Sequence, residues 1–210
     1  MAEPAPTIDH VLVAVADLDR AAARLEAEAG LASLPGGRHP AWGTANRIVP
    51  LGGAYLELIA VVDARVASGS GLGRLVERVA DAGGGPLGVA LRTGDIAACA
   101  VRIGEAVTAG ARRAPDGREL HWRTTGMGGF TGPERLPFFI EWAPGSPHPA
   151  AVPAGGPAPT ATLGWIELGG EAGRLRAWMG GWPPGIRTVG DQPGPGAVGI
   201  EVAGREVVLR

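Results

Sequence analysis

The first ordered signal along the chain is the run Ile8 to Ala16, valine-rich, with Asp17 behind it, which predicts a buried β-strand. Directly after it, Leu18, Ala21, Ala22 and Leu25 fall at i, i+3, i+4 and i+7, one face of a helix, with Gly30 as its stop. Residues 31 to 48 read as a loop or short strand. After the turn signal Gly52-Gly53, the run 54 to 62 (AYLELIAVV) predicts a second strong strand. The unit is β-α-β-β-β, weakest in its middle strands.

The same order recurs. A shift of 78 residues places Ile96, Cys99, Ala100 and Ile103 on the first helix positions and Asp95 on Asp17, the expected N-cap. GVALRT then matches the first strand. Further on, PFFIEWA (137 to 143) matches AYLELIA, which sets Glu141 on Glu57 if about one turn's worth of residues is inserted between them. A fainter third copy starts at 162 to 170, with Ala172, Leu175 and Met179 on three helix positions and Arg176 on the fourth; it ends in a hairpin-like GIEVAGREVVLR. Leu72, Leu75, Val76 and Val79 predict a bridging helix at about 70–83, and the six prolines of 143–160 an extended connector. The expected fold class is therefore α+β, one domain over 1–210: tandem βαβββ modules at about 7–63 and 86–143, then a partial third module over 161–210.

Composition narrows the function. With 45% hydrophobic residues among 210, the chain can bury a core, and its 36 glycines and 19 prolines show no collagen-like period. Net charge is −2 without a basic block, which argues against nucleic acid and anionic membranes and leaves a small-molecule partner by elimination. All basic residues except histidine are arginine. The start lacks a secretory signal and the longest apolar run, Val11 to Ala16, is far short of a membrane span, so a cytoplasmic protein is expected. Cys99 sits on a helix's apolar stripe and reads as a small core hydrophobe.

Acid–base or metal chemistry has few places to sit, since only His10, His39, His121 and His148 exist. By period-two alternation His10 shares a strand face with Leu12 and Ala14, Glu57 with Tyr55 and Ile59, and Glu141 with Phe139. A carboxylate in so apolar a strand must be paired, hydrogen-bonded or metal-bound. His39 either braces the RHPAWGTAN loop or touches a ligand, His121 reads first as structural, and His148, flanked by prolines, pins the connector.

The segments IDHVLVAVADLDRAAARLE, GGRHPAWGTANRIVPLGGAYLEL, ELHWR, PFFIEW and SPHPA together resemble the glyoxalase-like group of the vicinal oxygen chelate superfamily. The resemblance implies paired modules curled into a mixed sheet around a cleft. It also implies a divalent metal held from first and last strands, which places His10, Glu57 and Glu141 as ligands and Glu57 and Glu141 as proton-moving carboxylates. Where the second module should offer a further ligand the chain has Gly88. A hard, oxygen-rich set of this kind suits Mg, Mn, Fe(II) or Ni better than a thiolate Zn site, and a lapsed, metal-free site has the same appearance. Arg38, His39, Trp42, Asn46 and Arg47 would line the cleft mouth, with Arg38 or Arg47 pairing a substrate carboxylate, and His121 would join if it faces the cleft. The resemblance thus implies a metal-dependent lyase, isomerase or dioxygenase acting on a small oxygenated molecule. The alternatives are a metal-free binding or drug-sequestering protein of the same fold, or modules that only mediate assembly, a homodimer among the arrangements left open.

Overall fold

The computed structural model describes residues 5–113, 117–151 and 161–210, so the proline-rich connector lies outside the described residues from 152 onward. The first βαβββ unit comprises β1 (Thr7–Ala14), α1 (Leu18–Ala29), β2 (Leu34–His39), β3 (Thr44–Leu51) and β4 (Ala54–Val61). Two helices come next, α2 (Ala64–Ala67) and α3 (Gly71–Asp81). The second unit holds β5 (Gly85–Arg92), α4 (Ile96–Ile103), β6 (Thr108–Arg113), β7 (Glu119–Thr125) and β8 (Phe138–Trp142), with the short α5 (Met127–Thr131) inserted before β8. The C-terminal part contains β9 (Ala161–Gly169), α6 (Ala172–Met179), β10 (Ile186–Thr188), β11 (Gly194–Val202) and β12 (Arg205–Leu209).

The helix starts owe their position to short acidic side chains. Asp17 accepts the N–H groups of Asp19 and Arg20, and Asp95 that of Ala98, which satisfies donors no intrahelical carbonyl can reach. Gly30 and Gly104 close the two helices in left-handed conformation.

The two units share one eight-stranded sheet ordered β2-β3-β4-β1-β5-β8-β7-β6. At its centre β1 and β5 pair antiparallel, and each first strand pairs in parallel with its own unit's last strand, β1 with β4 and β5 with β8. The sheet curls until its end strands, β2 and β6, approach each other, so it is nearly closed. Four further strands form a second sheet, β10-β9-β11-β12.

Alternation divides the apolar residues between two layers. Outward-facing Val11, Val13, Leu56, Leu58, Val89, Leu91 and Phe139 pack against α1, α4, α6 and the second sheet's Ile166, Leu168, Val198 and Ile200. Inward-facing Leu12, Ile59, Ala90, Trp122, Phe138 and Ile140 pack on Leu72, Leu75 and Val76 of α3 and Phe130 of α5. Each fully buried aliphatic or aromatic side chain contributes roughly 1.5–3 kcal/mol, so both faces of the curled sheet are secured without filling its interior.

The central pairing is irregular at one point. Along β1 and β5, Ile8 opposes Leu91 and His10 opposes Ala90, so Asp9 is an extra, bulged residue. Neighbouring side chains in a regular strand point to opposite faces; the bulge lets Asp9 and His10 meet.

Candidate active site

The concave face lines a cavity open at one end, with about 560 Å³ of space between its atoms when the solvent at the mouth is included. Its walls are largely aromatic, from Trp42, Tyr55, Trp122, Phe130, Phe138 and Trp142, and its polar groups are few: His10, His39, Asn46, Glu57, Arg112 and Thr124. An apolar pocket with a few convergent polar groups is the usual form of a small-molecule site.

Strand pairing places the central pair. Residue Leu12 of β1 stands beside Glu57 of β4, so His10 and Glu57 both point inward from neighbouring strands. His10 Nε2 lies 3.3 Å from Glu57 Oε2, and both side chains are buried. Asn46 Nδ2 donates to Glu57 Oε1 at 2.6 Å, and His39 Nε2 stands 4.0 Å from that same oxygen. The Tyr55 ring stacks on His10 with centroids 4.6 Å apart. Burial pushes the Tyr55 hydroxyl well above its ordinary pKa, so it stays a neutral phenol. Burial likewise lowers the pKa of His39, against the pull of Glu57, while His39 Nδ1 meets Thr44 Oγ1 at 3.1 Å.

Behind His10 sits Asp9, fully buried. Its Oδ1 lies 2.7 Å from His10 Nδ1; its Oδ2 meets His148 Nε2 at 3.0 Å, accepts the Trp142 indole N–H at 3.1 Å and lies 3.3 Å from Arg92 Nε. Burial pushes the Asp9 carboxyl up, but the hydrogen bonds and Coulombic attraction of His10 and His148 outweigh it and hold it well below the usual carboxylate range. An ionised carboxylate only accepts, so His10 Nδ1 and His148 Nε2 must donate. His148 Nδ1 accepts the Ala150 N–H at 3.2 Å, which agrees with that tautomer. With its Nδ1 proton committed to Asp9, His10 presents Nε2 to Glu57. At 3.3 Å the two atoms make a buried contact that is favourable when one of them carries a proton. The result is a buried Asp9–His10–Glu57 chain ending at the cavity.

Glu141 stands elsewhere. Leu12 and Ala90 are equivalent under the 78-residue shift, and they pair with Glu57 and Phe138 respectively. The counterpart of Glu57 is therefore Phe138, not Glu141, which lies three residues further on, an odd number, and so faces the other side of the sheet. There Arg123 Nε donates to Glu141 Oε2 at 2.9 Å and the Ile96 N–H at the start of α4 donates to Oε1 at 3.3 Å. Glu141 lines a shallow outer depression with Arg92, Arg123 and His148.

Of the residues expected at the cleft mouth, His39, Trp42 and Asn46 line the cavity. Arg38 is exposed, and Arg47 turns to Ser33 Oγ at 2.9 Å and Asp19 at 3.0 Å. His121 is exposed beside Glu119, because β7 turns Leu120, Trp122 and Thr124 inward and His121 outward. Asp9 and Arg112 were not among the expected site residues. An acid next to a histidine in a strand signals a joint role only if a bulge is foreseen. Arg112 faces inward because it pairs with Leu120 and, two residues away, Gly110 with Trp122.

The metal implied by the resemblance can be tested against these groups. An ion held across both units needs donors from β5 and β8, and the equivalent positions carry Gly88 and Phe138. A Cβ at Gly88 would overlap the Phe130 ring, so aromatic carbon fills that half of the site. Glu57 already has Asn46 on one oxygen and His10 on the other. Among the described residues no group of three or more His, Cys, Asp or Glu side chains is arranged to hold a metal. The residues present do not fit an ion shared between the units.

A family model described as a glyoxalase-like domain matches residues 8–182. None of the curated proteins compared matches the sequence. Among solved structures, a hypothetical protein from Staphylococcus aureus is similar over 97% of this chain and 84% of its own, at 15% identity and a TM-score of 0.68. A Streptomyces coelicolor methylmalonyl-CoA epimerase in complex with 2-nitronate-propionyl-CoA is similar over 68% of this chain and 99% of its own, at 20% identity and a TM-score of 0.49. A Mycobacterium tuberculosis methylmalonyl-CoA epimerase covers 69% of this chain and 94% of its own, at 22% identity and a TM-score of 0.48. No helix among the described residues is long and apolar enough to cross a membrane.

Proposed function

The chain belongs to the glyoxalase-like domain family, and from that premise we propose that it takes a small oxygenated organic molecule into the aromatic cavity and moves a proton on it with the His10–Glu57 pair. The observation that carries this reading is the buried Asp9–His10–Glu57 chain, which ends on the only carboxylate lining the cavity among the described residues. An imidazole and a carboxylate held against each other inside an apolar pocket have the geometry of a general acid–base pair.

Glu57 Oε2 is the proton-accepting atom and His10 Nε2 the group that takes up or returns the proton. Asp9 orients His10 and compensates charge on its ring, while Asn46 fixes the Glu57 carboxylate. The reaction class is proton transfer next to a carbonyl, as in an isomerase or lyase. The metal-dependent form of this reading is set aside because Gly88, Phe130 and Phe138 occupy the second half of such a site. A metal-free binding protein is the second reading, favoured by the same aromatic fill.

The test is exchange of acidic C–H protons for deuterium, monitored by NMR with a panel of 2-oxo and 3-oxo compounds. General acid–base groups contribute about 10²–10⁴-fold, so Glu57→Gln and His10→Gln should slow exchange by at least that lower bound while the protein stays folded. Binding without exchange in the wild type would leave the binding-protein reading in its place.

A further inference from the structure

Arg112 carries a charge the proton-transfer chemistry does not use. It reaches the cavity from β6, an end strand of the curled sheet, crossing the seam to β2 at Gly37, where a Cβ would stand 3.2 Å from both its Cδ and its Nη1. Gly37 thus leaves room for the arginine, where a larger residue would press on its side chain. Its Nη1 is buried and has no hydrogen-bond partner among the described residues, and none of the ion pairs found there involves it. A guanidinium nitrogen taken from water and left unsatisfied is costly, so its orientation needs a reason outside the empty fold.

We propose that Arg112 is the anion-recognition residue of the cavity, and that the ligand is a small monocarboxylate with an aromatic or branched apolar body. The planar guanidinium fork matches a carboxylate, and Arg112 is the only arginine lining the cavity among the described residues. Glu57 lines the same space, so a doubly charged phosphate would meet repulsion there that a single carboxylate largely avoids. The apolar body is called for by Trp42, Trp122, Phe130, Phe138 and Trp142, which leave little for a polar tail to bond. With its carboxylate on Arg112, such a ligand lies along the floor that holds His10 and Glu57. This inference rests on the proposed function for the identity of the site and adds the substrate class.

The probes are phenylacetate and its neutral isostere phenylacetamide, titrated by calorimetry or by NMR into the full-length protein. The wild type should bind the acid at least tenfold more tightly than the amide. Arg112→Gln should abolish that preference, Arg112→Lys should keep part of it, and the melting temperature of Arg112→Gln should hold or rise, since the Nη1 it removes has no partner among the described residues. Equal binding of acid and amide, no binding of either at millimolar concentration, or an unchanged preference in Arg112→Gln would overturn the proposal. So would a sharp loss of stability in Arg112→Gln, which would mean that the guanidinium serves the fold. The two proposals fail separately. Arg112-dependent acid binding with no proton exchange by the wild type removes the catalytic reading and leaves this one, whereas Glu57-dependent exchange that ignores Arg112 does the reverse.

Discussion

Asp9→Asn tests the buried chain with the smallest change of shape. The carboxylate accepts from His10 on one oxygen and faces His148, Trp142 and Arg92 on the other. An amide keeps one acceptor. Turned so that its oxygen serves the outer donors His148 and Trp142, it points an N–H₂ at His10 Nδ1 and forces that nitrogen to become the acceptor. The His10 proton then moves to Nε2 and is held against Glu57, the wrong tautomer for a group that must alternately take and return it. Removing one member of a buried ionic network costs about 3–5 kcal/mol. In a chain of this size each kcal/mol shifts the melting temperature by about 2–4 °C, so the drop near neutral pH should be roughly 6–20 °C. The pH dependence comes from the lowered folded-state pKa. Stability contributed by Asp9 is fully present above its ordinary value of 3.8 and is lost as pH falls through the lower folded value. The wild-type and variant melting curves should therefore lie furthest apart near neutrality and draw together below about pH 4. A variant as stable as the wild type near neutral pH, or a gap of constant width down to about pH 3, would refute the assignment of Asp9 as an ionised hub.

Three shorter predictions accompany it. Gly88→Ala drives a methyl group into the Phe130 ring and should destabilise the fold by about 1–3 kcal/mol, read from chemical denaturation; a neutral result would mean that α5 yields freely. Glu141→Gln should leave proton exchange within about twofold of wild type and lower stability by no more than about 1 kcal/mol, because its partner Arg123 is half exposed. Elemental mass spectrometry after dialysis should find far less than one divalent ion per chain, and stoichiometric metal lost in Glu57→Gln would contradict the donor-set argument.

Continuous apolar runs were enough to locate the central strands β1 and β4, which are buried on both faces, and apolar stripes at helical spacing located α1, α3 and α4. Alternation along those strands sends His10 and Glu57 inward, and pairing of their strands brings them together. Glu141 shows where such reasoning fails. Matching PFFIEWA to AYLELIA aligned two glutamates by type, whereas α5 and the loop before β8 shift the register by three residues and reverse the face. Arg112 was illegible for a different reason: its direction depends on the pairing of β6 with β7, and nothing in TAGARR fixes that pairing. Asp9 was hidden because alternation assigns it to the face opposite His10, and only a bulge overrides that assignment.

That bulge also governs the phase of β1. Ile8 packs outward among the residues between the sheets, with Val11 and Val13, whereas uninterrupted alternation would put it on the inner side with His10 and Leu12. The extra residue is thus a half-turn of a screw as well as a carboxylate. Excising Asp9 would therefore straighten β1 into a regular strand with Ile8 still facing the second sheet and His10 still facing the cavity, so the two layers would meet as before while the carboxylate behind His10 disappeared. Deletion at any neighbouring position of β1 would leave the strand with its phase changed on one side, whereas at position 9 the pairing already skips the residue and the packing of the layers is indifferent to its loss.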